Sequence, residues 1–321
     1  MFRTISSIAC VALASISMSA YAAYPEKPIR LIIPLAAGSS VDNAARILAD
    51  KMAANMGATI VVENQPGASG SIGAARLAKA APDGYSIGGF NDSIMTMVPH
   101  VQKNLSWDII KDFDPISLVA TIEWGLVASN DAPYKTAADI IKAAKAAPGT
   151  IDYGSGGVGS PQHIAMELFA SNAGIKMRHV PYKGASQAAV GIAAGEVPLG
   201  FQGMAAATGL VEGKKLRLIG VTTPERMPQY PNVPTVSESG LDGFQFKSWF
   251  TLVAPEGTPK DIIARLNAEA VKALKDPHVI ERFASYGLTP RGSTAEDLDA
   301  QTRDQLARYG KLIKDAGIKA D

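Results

Sequence analysis

Two short loops rich in glycine and serine contain the residue types best suited to hold an anion. The first, Leu35–Ser40, follows an apolar segment and precedes apolar residues at helical spacing. Ser39 suits the N-cap of that helix, and Asp42 is placed to accept a hydrogen bond from the amide of the cap, as in a capping box. Free N–H groups at a helix start, with the positive end of the helix dipole behind them, attract anions. The same residues could instead serve only to cap the helix.

The second loop, Gly154–Ser160, repeats this arrangement in the second half of the chain. It follows the predicted strand Thr150–Tyr153 and precedes a predicted helix over 161–172. Ser160 at the N-cap and Pro161 at the first helical position match the preferences of helix starts. Because the arrangement occurs twice, ligand binding explains the loops better than capping alone.

Part of the second loop, Gly154–Gly159, also matches the G-x-G-x-x-G fingerprint of dinucleotide-binding proteins. That fingerprint requires a long buried strand before it and an acidic residue about 20 positions later. The predicted strand here is short, and the later region reads Arg178-His179-Val180-Pro181. A nucleotide-dependent oxidoreductase is therefore the alternative function.

Histidines do not form a metal site in this sequence. They stand at positions 100, 163, 179 and 278, with neither an i, i+4 pair nor a cluster of carboxylates nearby. His163 could act as a base, contact a ligand or pack against the helix start, and the sequence leaves these roles open. A G-x-S-x-G nucleophile elbow is also missing. The sequence therefore predicts a binding protein without metal, cofactor or enzymatic activity.

Strands and helices alternate in the first part of the chain. Leu31–Ile33, Thr59–Glu63 and Tyr85–Phe90 are predicted strands, which indicates βαβ units, an α/β fold and a mainly parallel sheet. Ligands of such sheets lie at the carboxyl ends of the strands. Residues that follow Tyr85–Phe90 and the later strand Val197–Phe201 are thus further candidates. The predicted ligand-binding residues are Leu35, Ala36, Ala37, Gly38, Ser39, Ser40, Asn91, Asp92, Ser155, Gly156, Gly157, Gly159, Ser160, His163, Gln202 and Gly203.

The length of the chain and the lack of a low-complexity linker indicate two domains joined by strands. About 300 residues remain after a predicted signal peptide, which is more than one typical hydrophobic core. An extended segment crosses between domains near Glu123, and Phe246–Ala254 is long enough to cross back. We therefore expect one domain from residues 23–123 and 247–321 and a second from residues 124–246. A two-domain clamp with strand hinges requires such a path.

Met1–Ala22 has the features of a secretory signal peptide. Arg3 precedes the apolar run Ile5–Met18, and an A-x-A cleavage pattern ends the segment, so we expect export and cleavage near its last residue. Cys10 is the only cysteine, which leaves the mature chain without a disulfide or thiolate ligand. Without Arg3, the 31 lysines and arginines become 30, equal to the 30 aspartates and glutamates. This balance does not favour binding to nucleic acid.

Nine short motifs are spread over the mature chain. They are YPEKPIRLIIP (24–34), VVENQPGASGSIG (61–73), KAAPDGY (79–85), DFDPISLVA (112–120), GSGGVGSPQH (154–163), HVPYKG (179–184), VPTVSESGL (233–241), SWFTLVAPEGTP (248–259) and GIKAD (317–321). Together they resemble the substrate-binding proteins of tripartite tricarboxylate transporters, the TctC or Bug family. The resemblance implies a two-lobed, Venus-flytrap-like periplasmic protein. It would close on a small carboxylate as a monomer, without catalysis, and deliver it to the membrane components of a transporter. A component that presents ligand to a sensor is a further alternative.

Two loops depart from the pattern that the family usually shows. The first loop of the family often reads PFAPGGATD and offers backbone amides to a carboxylate, whereas residues 34–42 read PLAAGSSVD here. The later strand of the family often ends in Phe-Asp-Asn, whereas this chain has Phe201-Gln202-Gly203. Loss of that acid makes an ammonium-bearing ligand less favourable. These differences from the family pattern therefore imply an anionic solute without a cationic group.

Overall fold

The computed structural model describes residues 24–315 and 317–318. The predicted signal peptide, Met1–Ala22, lies outside the described residues. The strands are β1 (Ile29–Ile33), β2 (Ile60–Asn64), β3 (Ser86–Asn91), β4 (Phe113–Ile122), β5 (Trp124–Ala128), β6 (Asp152–Ser155), β7 (Arg178–Pro181), β8 (Leu199–Gly203), β9 (Arg217–Val221), β10 (Ser248–Pro255) and β11 (Leu288–Pro290). The helices are α1 (Ser40–Met56), α2 (Ser71–Ala78), α3 (Val98–Val101), α4 (Ala137–Ala146), α5 (Pro161–Ala173), α6 (Ala185–Ala193), α7 (Met204–Glu212), α8 (Lys260–Leu274), α9 (Pro277–Ser285) and α10 (Ala295–Asp315). A π-helical turn, Ser93–Met97, leads directly into α3.

These strands form two sheets, each with helices packed against it. The first sheet has the order β11-β4-β10-β3-β1-β2, and the second has the order β7-β6-β8-β5-β9. We call the first sheet with its helices the first lobe and the second sheet with its helices the second lobe. β4 and β5 are separated by Glu123 alone, yet they belong to different sheets, and β10 carries the chain back. The predicted two-lobed α/β fold with crossing strands is confirmed.

Both sheets are mixed, so the prediction of a mainly parallel sheet was wrong. β1 pairs in parallel with β2 and β3, and β6 pairs in parallel with β7 and β8. β10 is antiparallel to β3 and β4, and β5 is antiparallel to β8 and β9. The reason is the crossing itself: β4 runs towards the second lobe and β10 runs away from it. Neighbouring strands with opposite directions of travel must pair antiparallel.

Helix α1 shows how the sequence builds the frame of the first lobe. Its buried residues recur at helical spacing, and Gly57 ends it in the left-handed conformation with φ 62°. Ser39 is the N-cap, as predicted, and its Oγ accepts from the Asp42 N–H at 3.3 Å. The predicted capping box is wrong in one detail, because Asp42 accepts from the Gly38 N–H at 2.9 Å rather than from the amide of Ser39. The amide of Ser39 instead donates to Ala36.

Two further details differ from the predicted elements. The π-helical turn, α3, α7, α9 and β11 correspond to no predicted segment. Gln202 and Gly203 lie inside β8 rather than beyond its end, and Met204 starts α7 at once.

Within residues 24–315 and 317–318, no helix combines the length and apolar character that crossing a membrane would require.

Candidate functional site

A cleft between the two lobes brings the two predicted loops together. It contains about 640 Å³ of space that protein atoms do not fill, including space open to solvent. The predicted residues that line it are Leu35, Ala36, Ser39, Ser40, Asn91, Gly156, Ser160 and Gly203. The approach of the lobes is close: a Cβ built on Gly203 would lie 2.5 Å from the Oγ of Ser40.

The first wall is formed by the loop that leads into α1. Ser39 and Ser40 are buried, and the backbone N–H groups of Ser40 and Val41 start the helix, where no partner exists within it. Asn91, at the end of β3, also faces the cleft, and its Oδ1 accepts from the Ile94 N–H at 3.1 Å. Among the described residues, no hydrogen bond engages the amide nitrogen of its side chain.

The second wall is formed by the loop that leads into α5. Ser160 caps α5, and its Oγ accepts from the N–H of His163 at 3.4 Å. Pro161 has no N–H, so the first free amide of the helix belongs to Gln162. Among the described residues, no hydrogen bond engages the backbone N–H of Gly156 or Gln162. Both residues line the cleft, and their N–H groups are therefore available to a ligand.

A third helix start, that of α6, meets the same cleft and was not among the predicted sites. Lys183, Gly184 and Ala185 line the cleft, and Gly184 precedes α6 without any side-chain cap. Helices α1, α5 and α6 thus point their positive ends at one space. The sequence reasoning searched for capping side chains, and a start with an uncapped glycine gives no such signal. The loop Pro66–Gly70 also lines the cleft and was likewise missed.

The floor of the cleft is apolar and belongs to the strands that cross between lobes. Ile122 ends β4, Trp124 starts β5 and Ser248 starts β10. The Nε1 of Trp124 donates to the Oγ of Ser248 at 2.8 Å, and its ring packs edge-on against Phe246. The side of a ligand that faces the floor would therefore meet hydrocarbon rather than charge.

The other predicted residues lie beside the cleft or behind it. Ala37 and Gly38 are exposed at the tip of the first loop, and Gly157 lines an outer recess next to the cleft. Ser155 and Gly159 belong to the second loop but contact histidines instead of the cleft. The Oγ of Ser155 is 2.5 Å from the Nε2 of His179, and the Gly159 N–H donates to His163. None of these residues is among those that line the cleft.

Asp92 and Gln202 are fully buried and do not line the cleft. Burial raises the pKa of Asp92 well above its usual value, and neither carboxylate oxygen has a hydrogen-bond partner among the described residues. Burial therefore favours the protonated form of Asp92, and its side chain is not among those that line the cleft. Neither amide atom of the Gln202 side chain has a hydrogen-bond partner within the described residues.

His163 supports the second loop from behind. Its Nδ1 accepts from the Gly159 N–H at 3.1 Å, and its ring stacks on His179 with centroids 4.2 Å apart. Burial, and then the neighbouring His179, lowers the pKa of His163 from 6.5 to about 3. The ring is therefore neutral and packs against the helix start.

Protonation of His163 should make the protein less stable in mild acid. The unfolded chain binds a proton below pH 6.5 and the folded chain does not until about pH 3, so stability falls as the pH drops through this window. We expect the wild type to lose about 1–2 kcal/mol more than His163→Asn between pH 7.5 and 5 in urea unfolding. An asparagine oxygen can still accept from Gly159. Equal losses in the two proteins would mean that His163 titrates normally.

Charge in the cleft is confined to one residue. Of the described residues that line it, only Lys183 is charged, and it forms no ion pair with a described carboxylate. Among residues 24–315 and 317–318, no group of three or more His, Cys, Asp and Glu side chains is placed to hold a metal ion. The arrangement can therefore bind an anion through amides, hydroxyls and one ammonium group.

A protein family and several solved structures are similar to this chain in sequence and in fold. The family model described as tripartite tricarboxylate transporter family receptor matches residues 44–318. The structure of the periplasmic binding protein BugD is 32% identical, has a TM-score of 0.87 and covers 93% of this chain and 100% of its own. An R. palustris protein solved with adipate is 30% identical, with a TM-score of 0.90, and covers 93% of this chain and 100% of its own.

MatC from Rhodopseudomonas palustris, solved with bound malate, is 27% identical, has a TM-score of 0.85 and covers 90% of this chain and 100% of its own. The family match covers most of the sequence and the structural matches cover both lobes. The chain therefore belongs to the TctC, or Bug, family of tripartite tricarboxylate transporter receptors, which are periplasmic solute-binding proteins rather than enzymes.

Proposed function

We propose that this protein captures a small carboxylate between its lobes and delivers it to a tripartite tricarboxylate-type transporter. The observation that carries the proposal is the meeting of the helix starts of α1, α5 and α6 at a cleft where Lys183 is the one charged residue among the described lining residues. Each feature favours an anion, and the described lining residues include no acid that would hold a cationic group. The solute is therefore an anion that lacks an ammonium group.

The magnitudes agree with a closed cleft as the binding site. A ligand with micromolar affinity needs about 8 kcal/mol. Partly buried helix starts contribute about 1–2 kcal/mol each at most, and hydrogen bonds to a charged group contribute about 1.5–3 kcal/mol each. No single loop reaches the total. Loops from both lobes, together with burial of the hydrocarbon part of the ligand on Ile122 and Trp124, do reach it.

The relatives solved with adipate and malate support a carboxylate, because those proteins share the fold over both lobes. In this proposal the ligand lies between Leu35–Ser40 and Gly156–Ser160, with its hydrocarbon part on the floor. Residues 23–123 and 247–321 form one lobe and residues 124–246 form the other. The change of sheet at Glu123 supports this division.

Export to the periplasm, cleavage near Ala22 and action as a monomer complete the proposal. The signal-peptide pattern of the first 22 residues and the periplasmic location of the family support the location. The family match also supports a transporter as the partner.

Thermal unfolding with a panel of solutes tests the proposal. Succinate, malate, glutarate, adipate and benzoate are compared with the corresponding amides. At 100 times the dissociation constant, a ligand of the native state adds about 2.7 kcal/mol. For a protein of this size that raises Tm by roughly 5–10 °C. Amides should leave Tm unchanged. The proposal fails if neutral or cationic solutes raise Tm and every carboxylate leaves it flat.

A further inference from the structure

Two serines of the first lobe donate to consecutive carbonyl groups of the second lobe. The Oγ of Ser69 lies 2.5 Å from the Val158 oxygen, and the Oγ of Ser93 lies 2.6 Å from the Gly159 oxygen. The two serines come from separate segments, after β2 and after β3. Ser93 is 1% exposed and does not line the cleft. Its bond therefore joins the lobes and is not a contact with ligand.

These bonds fix the orientation of the loop that leads into α5. Gly159 has both backbone polar groups engaged, because its oxygen accepts from Ser93 and its N–H donates to the Nδ1 of His163. Its φ of 79° is one that glycine adopts without strain. With the carbonyls held towards the first lobe, the N–H groups of Gly156 and Gln162 remain for a ligand.

The segment that carries Ser69 has a strained backbone. Four consecutive residues have positive φ: 137° at Gly67, 46° at Ala68, 52° at Ser69 and 100° at Gly70. Ala68 and Ser69 have a Cβ, which disfavours this region, and such strain persists only where the surroundings hold it. One holding contact lies within the first lobe, from the Gln102 Nε2 to the Ala68 oxygen at 2.9 Å. Within the same lobe, the backbone N–H of Ser71 also donates to the Ala68 oxygen and that of Gly70 to the Gly67 oxygen. The bond of Ser69 to the Val158 oxygen adds a contact from the second lobe.

We propose that Ser69 and Ser93 are positioning residues, which hold the lobes closed and set the Gly156–Ser160 loop for the ligand. The strained segment Gly67–Gly70 relaxes when the lobes separate. Lobe closure is measurable without ligand, so the proposal goes beyond carboxylate binding.

The test measures the distance between lobes by pulsed electron spin resonance. Cys10 is the only cysteine and lies in the predicted signal peptide, so labels enter a cysteine-free mature chain. Val61→Cys on β2 and Val190→Cys on α6 are suitable, because these side chains are 43% and 59% exposed. Ser69→Ala and Ser93→Ala each remove one cross-lobe bond. Ser239→Ala is the matched control, because the Ser239 Oγ also donates to a backbone carbonyl, that of Thr235 at 2.8 Å, but within the second lobe.

Ser69→Ala and Ser93→Ala should each raise the long-distance population of the ligand-free protein. Dissociation of the carboxylate that raises Tm most should become about three- to tenfold faster in each, the effect of losing one hydrogen bond. Ser239→Ala should change neither quantity. Ala68→Gly removes the strained Cβ, so it should increase the short-distance population and slow dissociation.

The proposal is overturned if Ser69→Ala and Ser93→Ala give the same distances as Ser239→Ala. It is also overturned if Ala68→Gly raises Tm without any change in distance, since the strain would then be present in both states. Should no carboxylate bind while the distances shift as expected, the positioning role stands and the carboxylate function fails.

Discussion

Gly156→Val is expected to weaken carboxylate binding by at least about 100-fold, which corresponds to about 2.7 kcal/mol. A Cβ at Gly156 would lie 2.9 Å from the backbone nitrogen of Ala185 and 3.2 Å from the carbonyl carbon of Gly184. Both atoms belong to the start of α6 and cannot turn aside as a side chain would. The valine would therefore push apart two of the three helix starts and fill space at the cleft wall.

Isothermal titration with the carboxylate that raises Tm most would measure this loss. Gly209→Val is the matched control, because Gly209 lies on α7 of the same lobe and a Cβ there meets nothing within 4 Å. We expect overpacking at Gly156 to cost about 1–3 kcal/mol of stability, and circular dichroism would show whether the variant is folded. A folded Gly156→Val protein with the affinity of the wild type would mean that the ligand does not lie between these loops.

The two-lobed fold and the two capped loops could be predicted because their signals are local. Ser39 and Ser160 cap α1 and α5 as their types and positions indicate. The crossing near Glu123 follows from two adjacent extended segments, which the structure places in different sheets. Each of these inferences needs only a few neighbouring residues and the rules of helix and strand formation.

Features that depend on contacts between distant segments could not be predicted from the sequence. Ser93 and Gly159 are 66 positions apart, and the Ser186 Oγ that donates to Ala37 comes from 149 positions away. The start of α6 contributes to the cleft through an uncapped glycine, Gly184, which resembles any loop glycine in sequence. Positive φ at Ala68 is held by tertiary contacts, against the preference of alanine. Tertiary structure decides each of these cases.

Asp92 and Gln202 show the limit of strand-end reasoning. The rule that ligands lie at the carboxyl ends of strands selects Asn91, Asp92, Gln202 and Gly203 together. Side chains alternate between the two faces of a strand, so only some residues at such an end can face a cleft. Asn91 and Gly203 line it, whereas Asp92 and Gln202 are buried away from it. The exact last residue of each strand decides this outcome, and sequence patterns locate strand ends least well.

Trp124→Ala should lower the free energy of unfolding by about 3–5 kcal/mol, the usual cost of removing a large buried aromatic side chain. Trp124 is 3% exposed and lies in the largest hydrophobic core, which includes residues of both sheets. It also ties β5 to β10 through the bond to Ser248, so its loss would affect both crossing strands.

Trp124→Phe is the matched control, because it keeps an aromatic ring and loses only that bond, which should cost about 1 kcal/mol of stability. Urea unfolding followed by circular dichroism measures both variants. If alanine costs no more than phenylalanine, the ring contributes little to the packing between the lobes, and the apolar floor of the cleft does not depend on it.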